Sequence, residues 1–384
     1  MHHGMRLTKM AGTKRRILTL LACCMGLIWS SSAIAEDTAA PEPCFESRKG
    51  ASESVPILLE NGMPSIKCSP KTGGVLWWGD PFFNTEPLGS LPMFEGQVKM
   101  ASIDADSVRA SIVGDDPNNL SQRFYGCNRY EGPDAMHGTH VSGIIAGTRG
   151  NGVGIDGVAN NARIMVLRAV PNGDERDKDV ANAIRYAVDN GAKVINMSFG
   201  KYYVLHKDYV DEAVKYAMDH DVLLVHAAGN DAKDKDIEDS YPTRIARSGT
   251  TFPNWIDVGA SGASRKPKKI LADFSNYGAT TVDFFAPGVD IYSTVPDGKY
   301  EDASGTSMAC PATAGVAALI RSYFPTLTAV QVKEVLMKTT TSYKKKVRIP
   351  GSKKKLKMNQ LCITGGFVNA ANAVNYILTM TGNQ

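Results

Sequence analysis

The amino-acid sequence predicts an α/β protein with a doubly wound, mostly parallel central sheet and helices on both faces. From about residue 162 onwards, continuous apolar runs alternate with amphipathic segments, as in β–α–β units. The apolar runs lack the polar alternation of a half-exposed strand, so both faces of these strands are covered. With 384 residues, 43% of them hydrophobic and 21% charged, the chain is long enough for one large domain and a smaller appendage.

The predicted elements follow one another in the order that this fold needs. ARIMVLRAV is the first clear strand, and the amphipathic helix after it ends at Gly191. The apolar face of that helix is formed by Val180, Ile184, Ala187 and Val188. Further strands are predicted at KVINMSFG, VLLVHAAGN, WIDVGAS and TVDFFAPG, with the helix DYVDEAVKYAMDHD between the first two. Three more helices are predicted from Ser307 to about Tyr323, over TAVQVKEVLMKT, and from Asn369 to Thr379.

The N-terminal residues predict export. Basic residues precede an apolar run from Ile17 to Trp29, and Ala33-Ile34-Ala35 has the small-x-small form of a signal-peptidase site. We therefore predict a signal peptide over residues 1–35 and a periplasmic or extracellular protein. The apolar run is shorter than the roughly 20 residues that span a bilayer, so no integral membrane anchor is expected.

The chain after the signal peptide divides into two parts by composition. Residues 36–97 are rich in Pro, Gly and Ser, with only short apolar pieces such as VPILL and VLWW. We predict an N-terminal extension of uncertain order over 36–97 and the main domain over 98–384.

Charge and cysteine content argue against several classes of protein. A net charge of +4 is too small to indicate nucleic-acid binding, and the lysine runs at 344–346 and 353–357 are expected on a solvated surface hairpin. The cysteines beyond the signal peptide are scattered without CxxC spacing, so neither a disulfide framework nor a zinc site is predicted. If one pair forms in an oxidising compartment, Cys44 with Cys68 is the expected one.

ASGTSMACPATAGVAAL places a serine, Ser307, at the start of a buried helix. There its hydroxyl is close to the positive end of the helix dipole and to unpaired N–H groups, which stabilise a neighbouring oxygen that becomes negative. Gly305 allows a substrate backbone to approach, and Pro311 lies too near the helix start to remove many hydrogen bonds. For a serine alone, a helix cap is the alternative interpretation.

Two further residue types have a catalytic interpretation. His137 stands just before a helix of small and apolar residues, and Asn230 follows a central strand at the carboxyl edge of the sheet, where α/β proteins bind ligands. A carboxamide there can donate to an oxyanion, although an Asn can also cap the following turn. The HxxH spacing of His137 and His140 lacks the Glu of metalloproteases, so we expect His140 to be a hydrogen-bonded structural neighbour and no metal site.

HGTHVSGIIAG, VINMSFG, HAAGN and SGTSMACPATAG, in this order, resemble the sequence blocks of the subtilisin-like serine proteases, the subtilases of peptidase family S8. The resemblance covers roughly residues 114–373 and makes 98–384 a subtilisin-like peptidase domain. It implies an exported serine endopeptidase that forms an acyl-enzyme, with Ser307 as nucleophile and His137 as general base and then acid. Asn230 and the backbone N–H of Ser307 are then the oxyanion donors.

The resemblance also implies the substrate contacts. One wall of the S1 pocket is then Ser198, Phe199 and Gly200, and the other is Ala227, Ala228 and Gly229. A substrate would pair as an added strand along the 198–200 edge. Protein or peptide substrates and a monomer are expected. No cofactor is predicted, because calcium is common in the family but no ligand cluster is visible in the sequence.

The acid of the catalytic triad is the part of the family pattern that this sequence lacks. Subtilases supply it from a strand that ends in Asp-Ser/Thr-Gly before the His block, and no such tripeptide occurs here. Asp104, which ends the apolar-leaning strand within VKMASIDADSV, is the best candidate; Asp106 and Asp80 match less of the motif. In a second alignment, Asp104 lies within an insertion and the Asp strand belongs upstream, where 36–97 shows no counterpart. A catalytically impaired or inactive subtilase-fold protein is therefore the alternative function, whereas an α/β-hydrolase esterase is disfavoured because Ser307 is not in a G-x-S-x-G elbow.

Overall fold

The apolar runs of the sequence form the central sheet of the protein, as seen in a computed structural model. The structure describes residues 74–77, by their backbone alone, and residues 114–116, 118–126, 135–170, 175–264 and 266–380. The predicted signal peptide, Asp104, and the cysteines at 44, 68 and 127 lie outside these residues. The strands of the described part are β1 (Gly74–Trp77), β2 (Ile164–Val166), β3 (Ala192–Met197), β4 (Leu223–Ala227), β5 (Trp255–Ser261), β6 (Phe284–Pro287), β7 (Ile291–Val295), β8 (Lys299–Ala303), β9 (Thr341–Ser342), β10 (Val347–Arg348), β11 (Lys355–Leu356) and β12 (Gly366–Phe367). The helices are α1 (Met136–Ala146), α2 (Asp177–Asp189), α3 (Lys207–Asp219), α4 (Thr306–Tyr323), α5 (Ala329–Lys338) and α6 (Ala370–Met380), with a 3-10 turn at Met358–Gln360.

Eight strands form one sheet in the order β2-β1-β3-β4-β5-β6-β12-β9. All neighbours are parallel except β12 and β9, which are antiparallel. The order runs outward from β1, to β2 on one side and to β3 and the later strands on the other, which is the doubly wound arrangement that the sequence predicts. The α/β fold class is therefore confirmed.

The strand β1 lies inside the segment that the sequence analysis left out of the main domain. It pairs with β2 through Val75 and Ile164, and with β3 through Val75 and Val194. Residues 36–97, where the sequence shows no counterpart of the Asp strand, thus supply the strand of the sheet that lies next to its β2 edge. VLWW was too short and isolated to be recognised, but four apolar or small residues suffice for a strand that is paired on both sides.

Helices cover both faces of the sheet, and each face has its own apolar core between the sheet and the helices. On one face, α1, α4, α5 and α6 pack over side chains such as Val194, Val225 and Val258. On the other face, α2 and α3 pack over Ile195, Leu224 and Trp255. The alternation of neighbouring strand residues between the two cores explains why these strands read as continuous apolar runs.

Most predicted boundaries agree with the structure to within a few residues. α2 ends at Asp189, and Gly191 follows with φ of 84°, a left-handed conformation suited to glycine. The lysine-rich segment forms the predicted hairpin, β10 with β11. Cys310 and Cys362 are buried and free. No helix in the described part of the chain has the length and apolar character needed to cross a bilayer.

Candidate active site

Ser307 is the second residue of α4, and its hydroxyl lies where α4 meets the end of β3. Its Oγ donates to the carbonyl of Ser198 at 3.2 Å, and the Oγ of Ser198 donates back to the carbonyl of Ser307 at 2.9 Å. Asn196 supports Ser198 by donating from Nδ2 to its Oγ at 3.0 Å. These bonds fix the start of the helix at the carboxyl edge of the sheet, with the Ser307 side chain half-buried.

Asn230 lies in the loop after β4, and its carboxamide is oriented by α4. Its Oδ1 accepts from the Thr306 backbone N–H at 2.8 Å and from the Thr306 hydroxyl at 3.0 Å. With Oδ1 occupied in this way, the amide nitrogen remains available as a donor beside Ser307. That nitrogen is 3.6 Å from the position that a Cβ on residue Gly305 would take, so glycine at 305 keeps this space open.

The loop that carries Asn230 is held by a second asparagine, Asn276. Its Oδ1 accepts from the N–H groups of Asp231 and Lys233, at 3.1 and 2.8 Å, and its Nδ2 donates to the carbonyl of Ala228 at 2.9 Å. Gly229 has φ of 106°, and a Cβ there would stand 2.3 Å from Asn276 Nδ2. Glycine is thus required both by conformation and by the contact.

Sequence reasoning missed Asn276 and Thr306, although both position the candidate oxyanion donor. Thr306 is adjacent to Ser307 in G-T-S, and a polar residue between a glycine and a serine was a usable signal. Asn276 stands 46 positions after Asn230 in the loop FSNYG. A single sequence contains no indication that it reaches back to residues 228–233.

His137 lies in the first turn of α1, which begins at Met136, whereas the sequence predicted a helix that starts after His137. α1 packs against α4, the helix that carries Ser307. Burial, and then the proximity of His140, lower the pKa of His137 to about 4. The imidazole of His137 is therefore neutral near pH 7 and able to accept a proton.

His140 has the structural role that the sequence indicated. Its Nε2 donates to the carbonyls of Ile291 and Glu301, at 2.9 and 3.1 Å. The hydroxyls of Ser293 and Thr294 donate in turn to the carbonyls of His140 and Thr139. The β7–β8 hairpin thus anchors the start of α1, and with it the backbone of His137. Burial lowers the pKa of His140, so this imidazole is also neutral.

The predicted walls of the S1 pocket differ in what they expose. Phe199 is half-buried and Gly200 exposed, directly after the buried Ser198. Ala227 and Ala228 bury their methyl groups in two different apolar clusters, so this wall offers mainly its backbone. Backbone bonds of 3.1 and 2.7 Å join Lys201 to Tyr241 and place the 240–241 segment beside Gly200.

A network of buried charges, which we call the ionic core, lies behind this wall. Asp257 on β5 accepts at Oδ1 from His226 Nδ1 and Lys235 Nζ, at 2.8 and 2.9 Å. Its Oδ2 accepts from Arg244 Nη2 at 3.1 Å, and Arg244 also reaches the carboxylate of Asp283. All five residues are at most 8% exposed. His226 Nε2 is 3.4 Å from the position of a Cβ on Gly200, so the ionic core adjoins the candidate pocket.

The ionic core is charged despite its burial. Burial alone would raise the pKa of Asp257, but Lys235, His226 and Arg244 outweigh burial and hold that pKa well below its usual range. Burial lowers the pKa of His226, whose ring stays neutral and donates from Nδ1. For Arg244, Asp283 and Asp257 outweigh burial and raise the pKa. The sequence gives no local sign of this network, because its members are separated by loops and strands.

The candidates for the triad acid fall in a part of the chain that the structure does not describe. Asp104 and its alternatives Asp106 and Asp80 all lie outside the described residues, and Asp104 stays a prediction. Asp80 comes three residues after the end of β1, which lies between β2 and β3 in the sheet. Within the described ranges, no group of three or more His, Cys, Asp or Glu side chains is arranged to hold a metal ion.

The family model of the subtilase family matches residues 107–361, which include the segments of His137, Asn230 and Ser307. This chain belongs to the subtilase family. The resemblance noted in the sequence is thereby confirmed.

The relatives of this subtilase are serine proteases. The chain is 44% identical to a thermophilic serine proteinase of Bacillus sp. over 187 residues, which are 48% of this chain and 42% of that one. It is 32% identical to a thermostable alkaline protease of Halalkalibacterium halodurans over 287 residues, 72% of this chain and 73% of that one. This subtilase thus spans less than half the length of the first relative. A solved structure of the protease domain of PatA matches with a TM-score of 0.53 and 25% identity, and the match covers 83% of this chain and 99% of that one.

Proposed function

We propose that this subtilase is an exported serine endopeptidase that hydrolyses peptide bonds through an acyl-enzyme intermediate. One arrangement supports it most strongly. Asn230 is oriented by two hydrogen bonds to Thr306, immediately before Ser307, so an amide donor stands beside a hydroxyl nucleophile at the positive end of a helix. A helix cap alone needs no such partner from another strand.

In this proposal the Ser307 Oγ attacks the scissile carbonyl carbon while His137 takes the hydroxyl proton. The new C–O bond gives a tetrahedral oxyanion, which accepts from Asn230 Nδ2 and the Ser307 N–H. Collapse breaks the C–N bond, and His137 gives its proton to the leaving amine. Water then attacks the ester in the same way and frees Ser307. The neutral state of His137 near pH 7 suits its role as first proton acceptor.

Substrate binding is proposed at the 198–200 edge, where a peptide would add as a strand. Ser198, Phe199 and Gly200 would form one wall of the S1 pocket and Ala227, Ala228 and Gly229 the other. Phe199 and Gly200 are accessible enough for this pairing. The remaining parts of the proposal are export through the signal peptide over 1–35, a monomeric state and the absence of a required cofactor.

A fluorophosphonate probe tests the nucleophile directly. Labelling of Ser307 that is lost in Ser307→Ala and falls strongly in His137→Ala supports the peptidase. His220→Gln is the matched control, since His220 is exposed after α3 and bonds to the Tyr216 carbonyl, and this variant should retain labelling. A folded chain that stays unlabelled would instead support the alternative, an inactive subtilase-fold protein, which the absence of Asp-Ser/Thr-Gly favours.

The triad acid is identified by three single variants. Asp104→Asn, Asp106→Asn and Asp80→Asn are compared for kcat on one peptide substrate. Replacement of the orienting Asp in a triad lowers kcat by about 10⁴-fold, whereas the other two variants should stay within a few fold. Asp104 is the proposed acid; a large loss in Asp80→Asn alone would reassign the role to the residue that follows β1.

A further inference from the structure

Exposed lysines are concentrated on one surface in the described part of the chain, and we call this group of lysines the basic patch. Its members are Lys266, Lys268, Lys269, Lys344, Lys345, Lys346, Lys353, Lys354, Lys355 and Lys357, all exposed. Within the described ranges, none of these ammonium groups forms an ion pair. The chain has 43 basic residues but a net charge of only +4, so the rest of the molecule is net negative while this surface is strongly positive.

Backbone hydrogen bonds make the basic patch one surface. The Arg348 N–H donates to the carbonyl of Pro267 at 3.0 Å, which joins the β10–β11 hairpin to the 266–269 loop. Arg348 also donates from Nε to the carbonyl of Ser352 at 2.6 Å and so closes the hairpin. Val347 and Ile349 are buried in the apolar cluster that includes Ala228. The lysines therefore lie on a loop and a hairpin that are joined to each other by a backbone hydrogen bond and to the apolar core by Val347 and Ile349.

The same hairpin touches the loop of the candidate oxyanion donor. A Cβ on Gly351 would lie 2.7 Å from the Cβ of Ala232, two residues after Asn230. The N–H groups of Gly351 and Ala232 donate to the carbonyls of Asp273 and Phe274, each at 2.7 Å. The basic patch thus borders the candidate active site. Asp273 is exposed at this border and offsets one of the ten positive charges.

We propose that the basic patch is an exosite that binds acidic segments of polypeptide substrates and delivers them to the active site. This rests on the proposed peptidase function. Unpaired charges near a cleft raise the association rate of an oppositely charged partner by about 10- to 10³-fold at low salt. A polypeptide is the partner we infer, because the substrate proposed for the active site is itself a polypeptide and can carry an acidic segment beside its cleavage site.

The choice of lysine supports carboxylates over phosphates. Arginine presents a planar fork that binds phosphate in a bidentate manner, and phosphate or nucleic-acid sites are usually rich in it. All ten patch residues are lysines, and the neighbouring Arg348 is occupied by the Ser352 carbonyl. Lysine is a hydrated point charge on a flexible stem, which suits an acidic segment of variable sequence.

Binding is measured first, with the full-length Ser307→Ala protein, so that the result does not depend on catalysis. The probe is a fluorescein-labelled peptide of ten glutamates, followed by anisotropy at low salt. The charge-reversal variant is Lys353→Glu, Lys354→Glu and Lys355→Glu. A second variant, in case the first does not fold, is Lys344→Gln, Lys345→Gln and Lys346→Gln. The control, with the same charge change elsewhere on the surface, is Lys215→Glu, Lys299→Glu and Lys338→Glu.

We expect the charge-reversal variant to weaken binding by about tenfold or more and the control by less than about threefold. The binding should also fall when salt is raised, since screening acts on exposed charges. Equal binding by the variant and its control, or no binding of decaglutamate, would overturn the exosite. A labelled ten-nucleotide thymidine strand that binds as tightly as decaglutamate would overturn it too, in favour of a nucleic-acid surface.

Catalysis is measured second, on two peptides that share one cleavable sequence and differ in a flanking run of glutamates or glutamines. The ratio of kcat/KM for the acidic over the neutral peptide should fall about tenfold in the charge-reversal variant and stay constant in the control. An unchanged ratio in an active enzyme contradicts the exosite alone. Loss of hydrolysis of both peptides in the unmodified chain contradicts the peptidase proposal instead.

Discussion

The candidate active site and the ionic core lie side by side but differ in the charge and burial of their side chains. The site consists of neutral groups, a hydroxyl, a carboxamide and a neutral imidazole, held by hydrogen bonds to the backbone at a partly exposed rim. The ionic core holds full charges below 9% exposure, each satisfied by another charge. We therefore expect the protein to stay folded when a side chain is removed from the partly exposed rim, which is the candidate active site. Removal of one charge from the ionic core should instead leave its partner buried without an ion pair.

Removal of Asp257 is the strongest test of this contrast. Asp257→Ala leaves Lys235, Arg244 and His226 without their shared acceptor inside the protein. Breaking a buried ion pair in this one-sided way costs about 3–5 kcal/mol in the free energy of unfolding. Urea unfolding followed by circular dichroism measures it.

The control for Asp257→Ala is Asp208→Ala, which removes an exposed partner of Arg247. The Asp208 side chain is 72% exposed, and exposed ion pairs contribute about 0–1 kcal/mol. Equal losses in the two variants would contradict the assignment of Asp257 as the centre of a buried network.

Asn230→Ala is the corresponding test of the rim, with catalysis as the readout. Loss of one oxyanion donor lowers kcat by about 10²–10³-fold, a magnitude established for subtilisin, the type member of this family. KM should change little, because the donor acts on the transition state. The free energy of unfolding should fall by about 1–3 kcal/mol, since the buried N–H and hydroxyl of Thr306 lose their shared acceptor.

Asn190→Ala is the control for that variant, as it removes an exposed carboxamide that donates only to the carbonyl of Tyr186. It should leave kcat unchanged. A normal kcat in Asn230→Ala would remove the residue from the oxyanion site, and a large loss of stability would show that it belongs with the structural residues of the ionic core.

The contrast between the candidate active site and the ionic core also explains which residues could be predicted from the sequence. Ser307, His137 and Asn230 stand in short local blocks next to a strand end or a helix start, so periodicity and neighbours indicate them. Asp257 and His226 each stand within an apolar strand and differ from their neighbours by one polar residue, and nothing local tells that they meet across adjacent strands. β1 was missed for a related reason, because a four-residue strand shows no periodicity of its own.

Acid titration should separate the rim from the ionic core. A general base must be neutral, so kcat/KM should hold as pH falls and then drop tenfold per unit below the pKa of His137, about 4. The pH profile of kcat/KM on an uncharged peptide measures this. A half-point near the ordinary histidine value of 6.5 would contradict the lowered pKa.

Stability must be followed in the same experiment, because His137 links it to pH. The unfolded state takes up a proton near 6.5 and the folded state only near 4, so stability declines as pH falls between these values. Circular dichroism at each pH distinguishes unfolding from protonation of a folded enzyme. Within the ionic core, Asp257 should not contribute above pH 4, because its pKa is held well below its usual range. His226 should add to the decline below the ordinary histidine value, because burial lowers its pKa as well.

Lys333 lies at the outer limit of the ionic core, and its replacement should have the smallest effect on stability. Lys333 lies 3.7 Å from the Asp283 carboxylate, and its side chain is 15% exposed. Burial lowers the pKa of its ammonium, so this charge gains little from its site. Arg244 already satisfies both oxygens of Asp283. Lys333→Met should therefore change the free energy of unfolding by less than about 1 kcal/mol. The thioether of the methionine takes the place of an ammonium group that burial already separates from most of its water. A loss as large as that of Asp257→Ala in the same urea titration would place Lys333 inside the network and make its charge a requirement for the fold.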